Sequence, residues 1–381
     1  MLSTDNYSDM MNYMNHKDFY NLLITSKIAY QLYNIYIIKY FHDINITNLI
    51  KYNRLDIIKL LYNKNMGVFS YGTLSIAYSV GNLEIIEFLH ENVNDEYTEW
   101  EIHSAIKNGH LEVIKWLYEK YNEEFTSTKM CYAAQYGQLE IVKYLHKHKI
   151  GKYTTCVMDT AASNGHLEVV KFLHENRDDG CTTDAMDNAA INGYLEVVKF
   201  LHKNRNEGCT TKAMDGAART GRLDVIKWLH KYRTEGCTSD AMNYAAQYGH
   251  LEIVKFLHEN RNEGYDPYII DNIAANGCLE MLKWMYENYN EKCTINALNL
   301  AIENGQLEVV KWLYENHDYT HSYYAIHEAI RKGIPDVVEW LYKNHYETDI
   351  DYIMAVARTW GQNDIIESLT EYDEYYDYDE Y

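Results

Sequence analysis

Proline is nearly missing from this sequence: 2 occur in 381 residues, beside 19 glycines, which excludes collagen-like chains and low-complexity linkers. Basic charge is scarce as well. The 35 lysines and arginines face 56 acids, for a net charge of -21, and such an excess repels nucleic-acid phosphates and anionic lipid. Neither nucleic acid nor membrane is therefore expected as a partner. No stretch approaches the roughly 18 apolar residues that a membrane span needs. The start, Met1 to Met10, is polar and acidic where a signal peptide would be basic and then apolar. These absences point to an intracellular, reducing location. What is present suffices for a sizeable core, since 47% of the residues are hydrophobic and 24% charged, as in soluble globular proteins.

One interval organises the chain. Glycine stands at positions 81, 109, 137, 165, 193, 221, 249, 277, 305, 333 and 361, each 28 residues after the last, and Asn53 holds the place one period earlier. Three residues after each comes an acid, from Asp56 and Glu84 to Asp336 and Asp364. Acids fill 56 of 381 positions, so an acid at every one of these places is not chance. About twelve units repeat one design.

The unit reads as two helices, and the copy from Gly180 to Glu207 shows why. Thr182 can cap a first helix through its side-chain oxygen, as can Ser70, Thr98, Thr126, Thr154, Thr210, Thr238, Asp266, Thr294 and Ser322 at the same place. Ala185, Met186, Ala189 and Ala190 form an apolar stripe at helical spacing, and its small alanines admit a neighbouring backbone closely. Gly193 ends this helix in the left-handed conformation, which glycine enters freely and asparagine tolerates. Leu195, Val197, Val198, Phe200 and Leu201 give a second helix a wide apolar face. Glu196 suits its positive end, and Lys199 three residues on adds a few tenths of a kcal/mol. Asn204 suits a closing left-handed cap. One hairpin cannot bury its apolar face alone, so the units must stack. The expected fold is all-α: a solenoid of helical hairpins, wound as an elongated right-handed superhelix on the order of 100 Å long with one concave surface.

The strings NGHLEVVKFLH from Asn164, NGYLEVVKFLH from Asn192 and YGHLEIVKFLH from Tyr248, each preceded by an alanine pair, resemble the ankyrin repeat. The resemblance covers roughly residues 42 to 370. It implies a monomeric, non-enzymatic scaffold that binds a protein along its concave face, with no cofactor. Two departures matter. Cys-Thr-Thr and similar strings replace the usual Thr-Pro-Leu-His, and the period falls about five residues short of the family's. The missing residues belong to a β-hairpin finger, so short loops are expected in its place and contact shifts toward the first helices. A unit so shortened is similar to those of ankyrin-repeat proteins from giant DNA viruses of amoebae, which implies the host cytoplasm.

Residues 1–41 depart from the period and leave two readings open. One is a helical cap with a polar outer face. For the other, Leu2, Met10, Met11, Tyr13, Met14, Lys17, Asp18, Phe19, Leu22, Ser26 and Lys27 resemble the F-box, although Ser3 replaces its usual proline. That resemblance implies a ubiquitin-ligase adaptor docked on Leu2, Met10, Met11, Met14, Phe19 and Leu22, with the repeats selecting a substrate. Residues 371–381 read EYDEYYDYDEY, acids and tyrosines alone, and are expected to be disordered.

His90, His146, His174, His202, His230 and His258 share one repeat position. Layers about 10 Å apart hold successive imidazoles too far apart for one zinc ion with its roughly 2 Å bonds, so no metal is expected. Cys181, Cys209, Cys237 and Cys293 also share a position, while Cys131, Cys156 and Cys278 lie at others. The layer spacing is expected to exceed the roughly 7 Å that a disulfide tolerates between Cα atoms, which leaves reduced packing residues. His-Glu-x-x-His, phosphate-binding glycine loops and nucleophile elbows do not occur, so no catalytic residue is expected.

One row invites a binding role. Asp159, Asp187, Asp215, Asn243 and Asp271 stand six residues before the glycine, with Asp184, Lys212 and Asp240 three residues earlier and Tyr132 and Tyr244 beside them. Two readings remain: an ordinary solvated helix face, or an acidic groove for a basic protein, with the tyrosines as anchors. Arg177, Arg205, Arg233 and Arg261 recur at a loop position, either paired with nearby acids or forming a basic edge.

Overall fold

The structure is a computed structural model. It describes residues 46–376 apart from the short segments 66–68, 70, 94–97, 122–126, 150–153, 290–292, 318–322 and 345–348. The F-box-like positions Leu2, Met10, Met11, Met14, Phe19 and Leu22 lie outside the described residues, as does 377–381. Among the described residues there are 24 α-helices and no strand. They alternate as hairpins, for example Lys212–Arg219 with Leu223–Tyr232 and Ser239–Gln247 with Leu251–Asn260. The chain forms two compact units, residues 1–185 and 186–381.

Within each unit, first helices pack chiefly on first helices of the next repeat. In the first unit Tyr71–Val80 packs on Glu99–Lys107, and Ser127–Gln135 on Cys156–Ser163; in the second, Lys212–Arg219 packs on Ser239–Gln247, and Ile269–Ala275 on Ile295–Glu303. The alanine pairs explain this closeness. Ala133, Ala134, Ala161 and Ala162, like Ala217, Ala218, Ala245 and Ala246, are wholly buried, and a methyl group keeps helix axes at the near end of their usual separation. Second helices contribute the remaining core through Val169, Val170 and Leu173 in one unit and Val225, Ile226 and Leu229 in the other.

The periodic glycines take φ between 67° and 82°, and Asn53 takes 54°. All but Gly81, whose N–H bonds Ala77 O, close the helix with the paired bonds of a Schellman motif, as in Gly221 N–H to Ala218 O and Arg222 N–H to Ala217 O. Conformation is only half the requirement. A Cβ on Gly137 would lie 2.5 Å from Nδ1 of His166, and one on Gly221 would lie 2.8 Å from Cε1 of His250. These covering side chains belong to the next repeat, where they satisfy carbonyls left free at the helix end. The His166 Nε2 pairs with Gln135 O at 2.8 Å, and the Gln138 Nε2 donates to Lys107 O at 2.9 Å.

Loops without strands stand where fingers would be, at 177–182, 205–211, 233–238 and 261–267. Their arginines pair with acids two residues on: Arg177 with Asp179 at 2.9 Å, Arg233 Nε with Glu235 at 3.1 Å and Arg261 Nε with Glu263 at 3.2 Å, while Arg205 bonds Glu207. They are therefore clamps rather than a basic edge. Burial pushes the Glu235 carboxyl up, but the Arg233 guanidinium together with the backbone N–H groups of Thr234 and Glu235 holds it below its ordinary value. The expected Glu-to-Lys pairs form at 2.7–3.2 Å from Glu112–Lys115 to Glu308–Lys311. Such exposed pairs add little.

Three expectations change. Asn204 is not left-handed; it is the last helical residue, and its Nδ2 donates to Phe200 O at 2.8 Å, capping from the side chain instead. The final helix, Asn363–Tyr376, runs into the stretch read as disordered, because extending a formed helix costs far less than starting one. Not all cysteines of adjacent layers are apart: the Sγ atoms of Cys131 and Cys156 lie 3.1 Å from each other, since small residues bring first helices close.

The periodic histidines belong to an aromatic ladder. His90 meets Trp116 at 5.1 Å and His146 meets Phe172 at 5.5 Å in the first unit; in the second, His202 meets Trp228 at 5.1 Å and His258 meets Trp284 at 5.3 Å, all edge to face. Tyrosine holds the histidine place at Tyr286, 5.4 Å from Trp312. Edge-to-face geometry places the positive ring edge on the partner's negative face. A double-mutant cycle on His202→Ala and Trp228→Ala should read a coupling of about 0.5 to 1.5 kcal/mol; additive losses in urea unfolding would refute the contact.

Candidate protein-binding face

The aspartate row is not an open acidic groove. Asp187, Asp215 and Asp271 are 2%, 8% and 7% exposed, and Asp159 and Asn243 are half-buried. Each reaches the residue whose side-chain oxygen caps the first helix of the following repeat. Asp215 Oδ1 accepts from Thr238 N–H at 2.8 Å while Oδ2 accepts from its hydroxyl at 3.0 Å. Asp187 takes the same pair of bonds from Thr210, both at 2.7 Å, and Asp159 from Thr182 at 2.8 and 3.0 Å. Asn243 accepts from Asp266 N–H and Asp271 from the Thr294 hydroxyl, each at 2.8 Å. The threonine oxygens simultaneously cap: Thr238 Oγ1 accepts from Asp240 N–H and Thr210 Oγ1 from Lys212 N–H. The row is thus an inter-repeat staple. Burial raises the Asp215 carboxyl above its ordinary value, against the two Thr238 bonds that lower it.

The face that remains open is set three residues earlier, in the first turn of each first helix. Asp184, Lys212 and Asp240 are exposed there. The same position carries Trp100, 75% exposed, in the first unit, and Tyr268, 73% exposed, and Tyr352, 42% exposed, in the second. Sequence reasoning passed over these aromatics, although their signal was the 28-residue register itself. In the second unit Tyr268 borders an open depression of about 420 Å3, with Asn272, Asn296, Leu300 and Glu303. Tyr132 and Tyr244 are half-buried: Tyr132 packs against His103 at 4.4 Å, and Arg219 lies 5.9 Å above the Tyr244 ring.

This arrangement suits non-covalent contact. Burial pushes the Cys209, Cys237 and Cys293 thiols up to about 11, and thiols so raised are poor nucleophiles at neutral pH. Among the described residues no group of three or more histidines, cysteines or acids is placed to hold a metal ion, and no helix is long and apolar enough to cross a membrane. A family model for ankyrin repeats, three copies long, matches at residues 46–129, 130–215, 186–271, 214–294 and 270–354. No curated protein matches the chain.

Proposed function

The chain belongs to the ankyrin-repeat family, whose repeats generally mediate protein–protein interaction, and from that premise we propose that it is a non-enzymatic scaffold gripping its partner with the first turns of its first helices. The observation that carries this reading is the exposure of Trp100, Tyr268 and Tyr352 at one repeat position. Large aromatics left in water at a recurring place are the residue types that dominate interface energies. The exposed Asp184 and Asp240 and the net charge of -21 favour a basic partner, steered by charge and weakened by salt. A reducing cytoplasm, that of a host cell if the chain is viral, suits its seven free cysteines.

Affinity capture from a eukaryotic lysate would supply the partner, and titration would then test the face. Trp100→Ala and Tyr268→Ala should each weaken binding about tenfold or more with an unchanged melting temperature. Full affinity in both variants would sink the assignment. The F-box resemblance of residues 1–41 supports a second reading, a substrate receptor for a ubiquitin ligase. Capture with and without residues 1–41 separates the two: an adaptor lost on truncation supports the receptor, and identical partner lists without one reject it.

A further inference from the structure

At one inter-repeat junction of the first unit the aspartate staple is replaced by sulfur. Cys131 stands where later repeats carry Asp159, Asp187, Asp215 and Asp271, and Thr154 where they carry the capping Thr182, Thr210, Thr238 and Thr294. Two residues further on, Cys156 opens the helix Cys156–Ser163 and turns its thiol to Cys131 of the helix Ser127–Gln135. The sulfurs are 3.1 Å apart, whereas a disulfide bond spans about 2.0 Å, so a small movement of two adjacent helices would bond them. No other thiol pair of the described residues is recorded at such a distance, and Cys181, Cys209, Cys237 and Cys293 are buried.

We propose that Cys131 and Cys156 form an oxidation site, at which hydrogen peroxide converts the thiol pair into a disulfide joining two neighbouring repeats. The two cysteines divide the work by access. Cys156 is exposed and meets the oxidant; Cys131 is half-buried. Attack of the Cys156 sulfur on the peroxide breaks the O–O bond, yields a sulfenic acid and releases one water. The Cys131 sulfur then displaces the hydroxyl from Cys156, its proton leaving with that hydroxyl as a second water. Two electrons pass from the sulfurs to the peroxide, and the balance is two thiols plus one hydrogen peroxide to one disulfide plus two waters. Burial, then the hydrogen bond and charge of Cys156, push the Cys131 thiol up to about 12, so the first attack on the peroxide falls to Cys156. The noncovalent staple of the junctions at Asp159, Asp187, Asp215 and Asp271 becomes here a covalent, reducible one.

The test is hydrogen peroxide titration of the full chain, followed by intact mass and a non-reducing digest. The wild type should lose about 2 Da, yield a single cross-link between Cys131 and Cys156, and recover its mass under dithiothreitol. Cys131→Ser should instead gain oxygen at Cys156, and Cys156→Ser should remain unoxidised. The site is refuted if the wild type adds oxygen at Cys156 without a link, if the link joins other cysteines, or if the protein is unchanged while glutathione in the same tube is oxidised.

Discussion

Asp215→Ala should lower the unfolding free energy by about 2 to 3 kcal/mol, the upper part of the range for removing a buried charged acceptor. The carboxylate is 8% exposed and takes both the N–H and the hydroxyl of Thr238. Alanine leaves that N–H without an acceptor and frees the hydroxyl that orients the cap on Asp240. Asp215→Asn should stay within about 1 kcal/mol of wild type, because Asn243 already performs the role at the next junction by accepting from Asp266 N–H. The pH dependence carries a sign of its own. Since burial holds the Asp215 pKa above 3.8, its contribution is complete below that value and is lost as pH rises through the folded pKa. The asparagine variant, which cannot ionise, should therefore gain on wild type between acid and neutral pH. Urea unfolding at both ends of that window checks it; an alanine variant as stable as wild type would mean that the row is solvated surface after all.

Gly81→Ala should cost about 3 kcal/mol, against about 1 to 2 kcal/mol for Gly361→Ala. Both glycines are left-handed, with φ of 77° and 68°. Only the first is covered: its Cβ would land on Cγ and Nδ1 of His110, whereas nothing lies within 4 Å of a Cβ on Gly361. To make room, the His110 ring must leave its 2.8 Å bond to Ser79 O, so a hydrogen bond is lost on top of the backbone strain. Equal losses at the two sites in urea unfolding would show that the covering side chain is not part of the requirement.

The family and the helical-hairpin fold were legible because their causes are local. A 28-residue register of glycines follows from φ, and the alanine stripe and the Val-Val-x-x-Leu face follow from helical spacing. Capping was legible for the same reason: Thr98, Thr182, Thr210, Thr238 and Thr294 all accept from the N–H two residues on. The candidate face was legible only in its register. Asp187 and Asp184 are both polar residues of one helix, and composition cannot tell the one that turns into the junction from the one that turns to water. Periodicity even misled, since a recurring aspartate reads equally well as a binding row or as a staple.

Sequence by itself thus determined the repeat, its two helices, the left-handed glycine between them and the obligation to stack, each being a property of residues within a few places of one another. Tertiary structure alone decided what faces what: that His110 needs the space over Gly81, that Asp215 belongs to Thr238, that Cys131 touches Cys156, and that Trp100 and Tyr268 touch water. Those pairings lie 23 to 31 residues apart, and the distance between two side chains so separated is set by how closely the helices of adjacent repeats approach and by the direction in which each helix turns its side chains.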